Sequence, residues 1–217
     1  MDLTAYEVEN GRFPHGFDDD TKGWTIPPGG YVGNGAYDRM GWWWFQSIAE
    51  SLGHDVEDNS VLRCPSGWAD DPSALGNVLV GNYGVNQAIC KNARAVRNID
   101  YAGRPLNTSH ISSPAETLLV VDSGYSTMTW WHATEEPPVV LGYTGEDTAY
   151  VPGLVINRFR ILRPGTEMDA QNGRHVNRTV NVGFVDGHVK SMRADKLHVK
   201  KQENTDDYAN RFPLWLP

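Results

Sequence analysis

The stretch from Asn172 to Met192 constrains the fold more than any other, because it spells out two strands and the turn between them. Val180, Val182 and Phe184 alternate with Asn181, Gly183 and Val185, and Asp186-Gly187 then offers the positive-φ pair of a type I′ turn. A two-residue loop sets Val185 opposite His188 and Phe184 opposite Val189. Val180, Val182, Phe184 and Val189 then make one apolar face, while His188 and Lys190 share the other. An isolated hairpin is at best marginally stable, so the chain must extend this pair into a sheet and cover its apolar face.

The remaining segments supply that material. Leu118-Leu119-Val120-Val121, bounded by Pro114 and by Asp122-Ser123-Gly124, is the continuous apolar run of a central buried strand. Residues 75 to 85 read as a strand and turn around Gly81-Asn82, and residues 86 to 96 as a short helix carrying Cys90. Val139-Val140-Leu141 and residues 154 to 162 are further strand candidates, with Arg158 and Arg160 on alternate positions of the second. Trp44, Ile48 and Leu52 recur every four residues beside Phe45 and Ala49, ahead of Gly53, which predicts an amphipathic helix of about four turns.

At the start, Asn10-Gly11 followed by Pro14 is a helix stop, with only Leu3, Ala5, Tyr6 and Val8 before it to form the helix. We therefore expect residues 1 to 12 to be the end of a longer helix, the rest of the 217 residues being a soluble head. Residues 13 to 37 are too rich in Gly, Pro and Asp for regular structure. Residues 196 to 217 form a tail whose Phe212-Pro213-Leu214-Trp215-Leu216-Pro217 end either caps the core or flexes. A helix followed by mostly antiparallel strands gives a single α+β domain over 1 to 217, with an N-terminal helix on a mainly antiparallel sheet and long loop insertions.

Nineteen basic against 27 acidic residues leave a net charge of −8, which repels polyanions and argues against a nucleic-acid partner. No apolar run reaches the 18 or so residues of a membrane span. The serines lie in neither Gly-x-Ser-x-Gly nor Ser-x-x-Lys, and the glycines from Gly29 to Gly35 lack the Gly-Lys-Ser/Thr ending of a phosphate loop. No catalytic residue is assigned, and the chain reads as a non-enzyme, with a metal-dependent hydrolase centred on Asp122, His175 and Asp186 as the weaker alternative.

Asp122, His175 and Asp186 are the candidate metal ligands, because carboxylate and imidazole suit zinc or manganese and carboxylates suit calcium. The competing reading leaves Asp186 to its turn and His188 as a solvated strand residue. The run Asp18-Asp19-Asp20 lacks the Gly and terminal Glu of an EF-hand loop. Cys64 and Cys90 have no Cys-x-x-Cys spacing and admit either two free thiols or one disulfide, which would add about 3.5 kcal/mol by loop-closure entropy. Trp42, Trp43, Trp130 and Trp131 are candidate interaction residues, since adjacent positions cannot all face one core. Exposed, they would suit a secreted glycan-binding module.

Arg174-His175, then Asn181-x-x-Phe184-x-Asp186-Gly187-His188-Val189, resembles the C-terminal signature of bacterial pilin-like proteins with a prepilin-type processing-associated H-x9-DG domain, similar to type II secretion pseudopilins. Ala5-Tyr6 with Asn10-Gly11-Arg12-Phe13-Pro14, Arg63-Cys64-Pro65-Ser66, Asn82-Tyr83-Gly84-Val85-Asn86 and Ser113-Pro114 through Asp122 follow in the expected order. Here ten residues, not nine, separate His175 from Asp186. The resemblance implies a pilin-like head in the periplasm, anchored to the inner membrane by an upstream apolar helix. Its partners would be other pilin-like subunits in a filament and the secretion machinery. No cofactor follows from it beyond the structural calcium that some pseudopilins carry.

Overall fold

A computed structural model describes residues 3–22, 25–33, 38–49, 59–66, 77–95, 101–135, 149–203, 205 and 207–217. Helix α1 (Leu3–Asn10) ends at Gly11, whose φ of +70° is the left-handed stop that the sequence announces. Strand β1 (Phe17–Asp18) pairs antiparallel with β2 (Trp42–Trp43), which runs into α2 (Trp44–Ser47). The main sheet contains β3 (Tyr83–Asn86), β4 (Leu118–Asp122), β5 (Thr127–Met128), β6 (Thr179–Phe184) and β7 (Val189–Arg193), in the order β5-β3-β4-β6-β7. Helix α3 (Glu167–Asn172) precedes β6, and the pair β8 (Lys200–Lys201) and β9 (Tyr208–Ala209) follows β7. This is the expected α+β class, with every main-sheet pairing antiparallel except β3 with β5.

β4 lies at the centre of the sheet, as its unbroken apolar run requires. Its register with β6 shifts between Leu118 and Val120, a bulge that lets consecutive Leu119 and Val120 meet one apolar cluster while Leu118 and Val121 meet another. The first cluster gathers Leu3, Phe13, Phe17, Trp43, Trp44, Phe45, Ile48 and Ile89. The second, on Val180, Val182 and Phe184, gathers Trp130, Leu154, Ile156, Leu197 and Trp215. The tail caps this second core: Trp215 is fully buried, its indole N–H donates to the Leu197 carbonyl at 3.0 Å, and Leu118 N–H donates to the Leu214 carbonyl at 2.9 Å.

The hairpin forms with a register one residue away from expectation. Gly183 pairs with Val189 and Val182 with Lys190, Phe184 N–H donates to the His188 carbonyl at 2.9 Å, and Gly187 N–H closes a turn on the Phe184 carbonyl at 3.0 Å. The loop is thus Val185-Asp186-Gly187, and only Gly187 takes positive φ, at +93°. Val185 supplies the reason: it is 1% exposed in the first core, so it folds inward as a loop residue instead of extending the strand. Val180, Val182 and Phe184 are buried as expected, whereas Val189 is 70% exposed and His188 stacks on the Phe184 ring at 4.3 Å.

Three further expectations change. α2 is a single turn, because Ile48 leaves helical geometry (φ −110°, ψ 1°), and residues 50–58 lie outside the described residues. No helix forms after Asn86 up to residue 95. The Asn86 carbonyl accepts from the Ile89 and Cys90 N–H groups to make one turn, but the Ile89 and Cys90 carbonyls then accept from Leu106 and Gly16, so the turn does not propagate into a helix. Val155–Phe159 is a 3-10 helix, not a strand: Asn157 N–H bonds back to the Leu154 carbonyl, and its side-chain amide donates to the Val151 and Ala170 carbonyls. The candidate strand at 139–141 lies outside the described residues.

Candidate functional site

The carboxyl end of β4 delivers Asp122 and Ser123 into the interior, next to the start of β6 and beneath the segment 59–66. Arg174 holds this corner together. Its five N–H groups find five acceptors: Nε and Nη2 form a fork on Asp169 at 3.0 and 2.5 Å, Nη1 donates to the Gly81 and Asn82 carbonyls at 2.6 and 2.9 Å, and Nη2 also donates to the Ser123 carbonyl at 3.0 Å. The side chains of Arg174 and Asp169 are both fully buried. Burial disfavours the guanidinium charge, yet the Asp169 carboxylate outweighs it and holds Arg174 firmly protonated. Tyr150 donates its hydroxyl to Asp169 at 2.8 Å, and burial among these groups keeps its phenol well above the usual range.

On this base stand Cys64, Asp122 and His175, whose ligand atoms all lie within 4.8 Å of one another. His175 Nε2 is 3.1 Å from Asp122 Oδ2 and 3.6 Å from Cys64 Sγ, and the Asn181 side-chain amide approaches the same nitrogen at 3.3 Å. Asn181 N–H donates to Asp122 Oδ2 at 2.6 Å. Cys64 N–H donates to the Asn82 side-chain oxygen at 2.9 Å, which ties the segment 59–66 to the turn before β3. Burial pushes the Asp122 carboxyl up, against the downward pull of the Asn181 N–H, Arg174 and His175. Asp122 Oδ1 is buried with no hydrogen-bond partner among the described residues.

Asp122 and His175 therefore meet as the sequence suggests, but Asp186 takes no part. It sits in the hairpin loop, where its Oδ1 contacts His188 Nδ1 at 2.6 Å and that contact holds its carboxyl below the usual range. The missing donor is Cys64, which the disulfide alternative had claimed. Cys64 and Cys90 are both free: Cys64 belongs to the polar corner, whereas Cys90 is fully enclosed in the first apolar core, where burial pushes its thiol far up. No residue spacing could announce a cysteine and a histidine 111 positions apart. The sequence signal was the pairing of Cys64 and Arg174-His175 as motif residues, which named them without joining them.

A thiol and an imidazole beside one carboxylate do not suit calcium, which takes oxygen ligands. Nor does the acidic run offer an alternative. Asp18 is turned onto the Asp20 and Thr21 amides and the Thr21 hydroxyl, and Asp19 pairs with Arg94 and Arg39 at 3.0 and 3.6 Å.

Trp43 and Trp130 are core residues at 2% and 4% exposure, which removes them as interaction candidates. β2 turns Trp43 onto Phe17 and Tyr125, and Trp130 packs against Tyr208 and donates to the Tyr101 hydroxyl. Trp42 and Trp131 are half-buried, the first under Lys22 and the second stacked on Tyr101 at 5.3 Å.

An apolar groove of about 520 Å³ runs between α1 and the sheet, lined by Leu3, Thr4, Ile48, Leu62, Val120 and Val189 among others, with Asn181 on its wall. No helix among the described residues is long and apolar enough to cross a membrane. Comparison with protein-family models, curated proteins and solved structures finds no match.

Proposed function

We propose that this chain is the globular head of a non-enzymatic, pseudopilin-like structural subunit of a type II secretion or type IV pilus-like assembly in the cell envelope. One observation carries the reading. The short motifs through which the sequence resembles that family are spread from Ala5 to Val189, and residues from four of them, Cys64, Asn82, Asp122, Arg174, His175 and Asn181, converge on a single corner of the fold. Motifs of this kind specify a scaffold: Arg174 spends its hydrogen bonds on three backbone carbonyls and on Asp169, and Asp122 accepts from the Asn181 backbone N–H.

α1 adds a second support. Leu3 is buried in the first core, Glu7 accepts from Thr108 N–H at 3.2 Å, and Val8 is 80% exposed, so the helix has one docked and one outward side. In this reading α1 continues from an upstream apolar helix that anchors the subunit and packs in the filament, while loops of the head set contacts with neighbours.

Expression from the native locus with a C-terminal epitope tag tests the reading. The tagged protein should fractionate with the envelope, and deletion of the prepilin peptidase should increase its apparent mass. A soluble cytoplasmic protein whose mass ignores the peptidase would refute the proposal.

A further inference from the structure

The His175 ring nitrogen is oversubscribed. Nε2 can make one hydrogen bond, as donor or as acceptor according to tautomer, yet Asp122 Oδ2, Cys64 Sγ and the Asn181 amide all converge on it. A nucleophile-base-carboxylate relay is built differently, with the acid on one ring nitrogen and the nucleophile on the other. Here carboxylate and thiol share the same nitrogen, which is the arrangement of ligands around a common point.

The two spacings that involve His175 are close to those around a tetrahedral metal, and the Cys64 to Asp122 separation lies within 4.8 Å. With zinc bonds of about 2.3 Å to sulfur and about 2.0 to 2.2 Å to nitrogen and oxygen, neighbouring ligand atoms stand about 3.6 Å apart for S and N and about 3.4 Å apart for N and O. The observed separations are 3.6 Å from Cys64 Sγ to His175 Nε2 and 3.1 Å from His175 Nε2 to Asp122 Oδ2.

A second, independent observation points the same way. Asp122 is fully buried, and Oδ1, one carboxylate-width from the shared point, has no partner among the described residues, a cost that a cation would remove. Arg174 does not stand in for that cation, because all five of its donors are committed elsewhere.

We propose that Cys64 Sγ, an Asp122 carboxylate oxygen and His175 Nε2 bind one zinc ion, with a fourth position open to water on the side where His175 keeps 22% of its side chain exposed. Thiolate and imidazole select zinc over calcium or magnesium. Binding displaces the Cys64 thiol proton to solvent and replaces the crowded contacts at Nε2 with three metal bonds. The ion pins three separate pieces of chain, the segment 59–66, the end of β4 and the loop after α3, at the wall of the groove under α1. The inference stands on the site alone and does not depend on filament assembly.

Zinc titration of tag-free, chelator-stripped protein against a chromophoric competitor should give one zinc per chain. Cys64→Ser and Asp122→Asn should each weaken binding at least about tenfold, in line with the loss of an interaction that holds the metal. Cobalt in place of zinc should produce a thiolate-to-metal charge-transfer band, which reads Cys64 ligation in the unaltered protein even if a variant fails to fold. Cys90, fully enclosed, does not compete for that signature. His198→Asn and His188→Asn are the controls, because His198 with Glu135 at 4.0 Å and His188 with Asp186 at 2.6 Å are further His–carboxylate pairs among the described residues able to attract zinc. Substoichiometric zinc, zinc lost in His198→Asn or His188→Asn but kept in Cys64→Ser, or cobalt bound without the charge-transfer band would overturn the site.

Discussion

Replacing Arg174 by methionine keeps much of the side chain's length and removes the guanidinium, and the structure sets the size of the consequence. Five hydrogen bonds disappear at once: the Gly81, Asn82 and Ser123 carbonyls lose their arginine donors, and Asp169 is left as a buried carboxylate with the Tyr150 hydroxyl beside it. Breaking a buried ion pair by removing one partner costs about 3 to 5 kcal/mol, a large share of the roughly 5 to 15 kcal/mol that holds a domain folded. For a chain of this length that corresponds to a fall in Tm of about 6 to 20 °C.

Urea denaturation followed by tryptophan fluorescence would measure the loss as a shift in midpoint at unchanged slope. The sharper comparison is the double variant Arg174→Met with Asp169→Leu, which removes the stranded carboxylate. It should be at least about 1 kcal/mol more stable than the sum of the two single changes implies. If Arg174→Met costs less than about 1 kcal/mol, or the two changes simply add, the corner does not rest on this pair.

Other expectations can be checked on the same protein. Gly84→Ala directs a methyl group at the Tyr125 carbonyl oxygen, with Met128 Cγ at 2.8 Å and Ser123 Cβ at 3.0 Å, so β3 must shift at a cost of about 1 to 3 kcal/mol in chemical denaturation. Trp215→Ala empties the second core and orphans the Leu197 carbonyl, and should cost about 3 to 5 kcal/mol by the same measurement. Burial holds the His198 imidazole below its ordinary 6.5, against the upward pull of Glu135 and with help from Lys200. Its stabilising contribution is therefore full above that ordinary value and is lost as pH falls through the depressed native one; His198→Gln should flatten this part of the pH profile, and identical profiles would contradict it. Alkylation of denatured, unreduced protein should add two labels per chain, one each at Cys64 and Cys90, and an unlabelled chain would mean that they are bridged.

What was legible in the sequence was whatever depends on neighbours along the chain. The apolar run 118–121 became the central strand, Gly11 stopped the first helix, and the 180–184 alternation put Val180, Val182 and Phe184 inside. The failures came where a tertiary contact decided between local options. Val185 was drawn into the core and moved the turn by one residue; Asn157 bonded to Val151 and Ala170 and curled a candidate strand into a 3-10 helix. The site followed the same division. Asp122 and His175 could be named by type, but Cys64 joins them only because Asn82 and Arg174 fold the 59–66 segment and the β3 turn onto the end of β4.

The central position of β4 has a kinetic corollary. Val120 must find Val85 on one side and Val121 must find Val182 on the other, and Asn86 then spans the Leu118 and Trp215 carbonyls. None of these partners is close in the chain, so the entropy of closing several large loops is spent before any of the sheet's reward is collected. Such a molecule belongs among slow folders, reaching its native state in milliseconds to seconds rather than microseconds, and it shows unpaired strand edges to its surroundings while it waits.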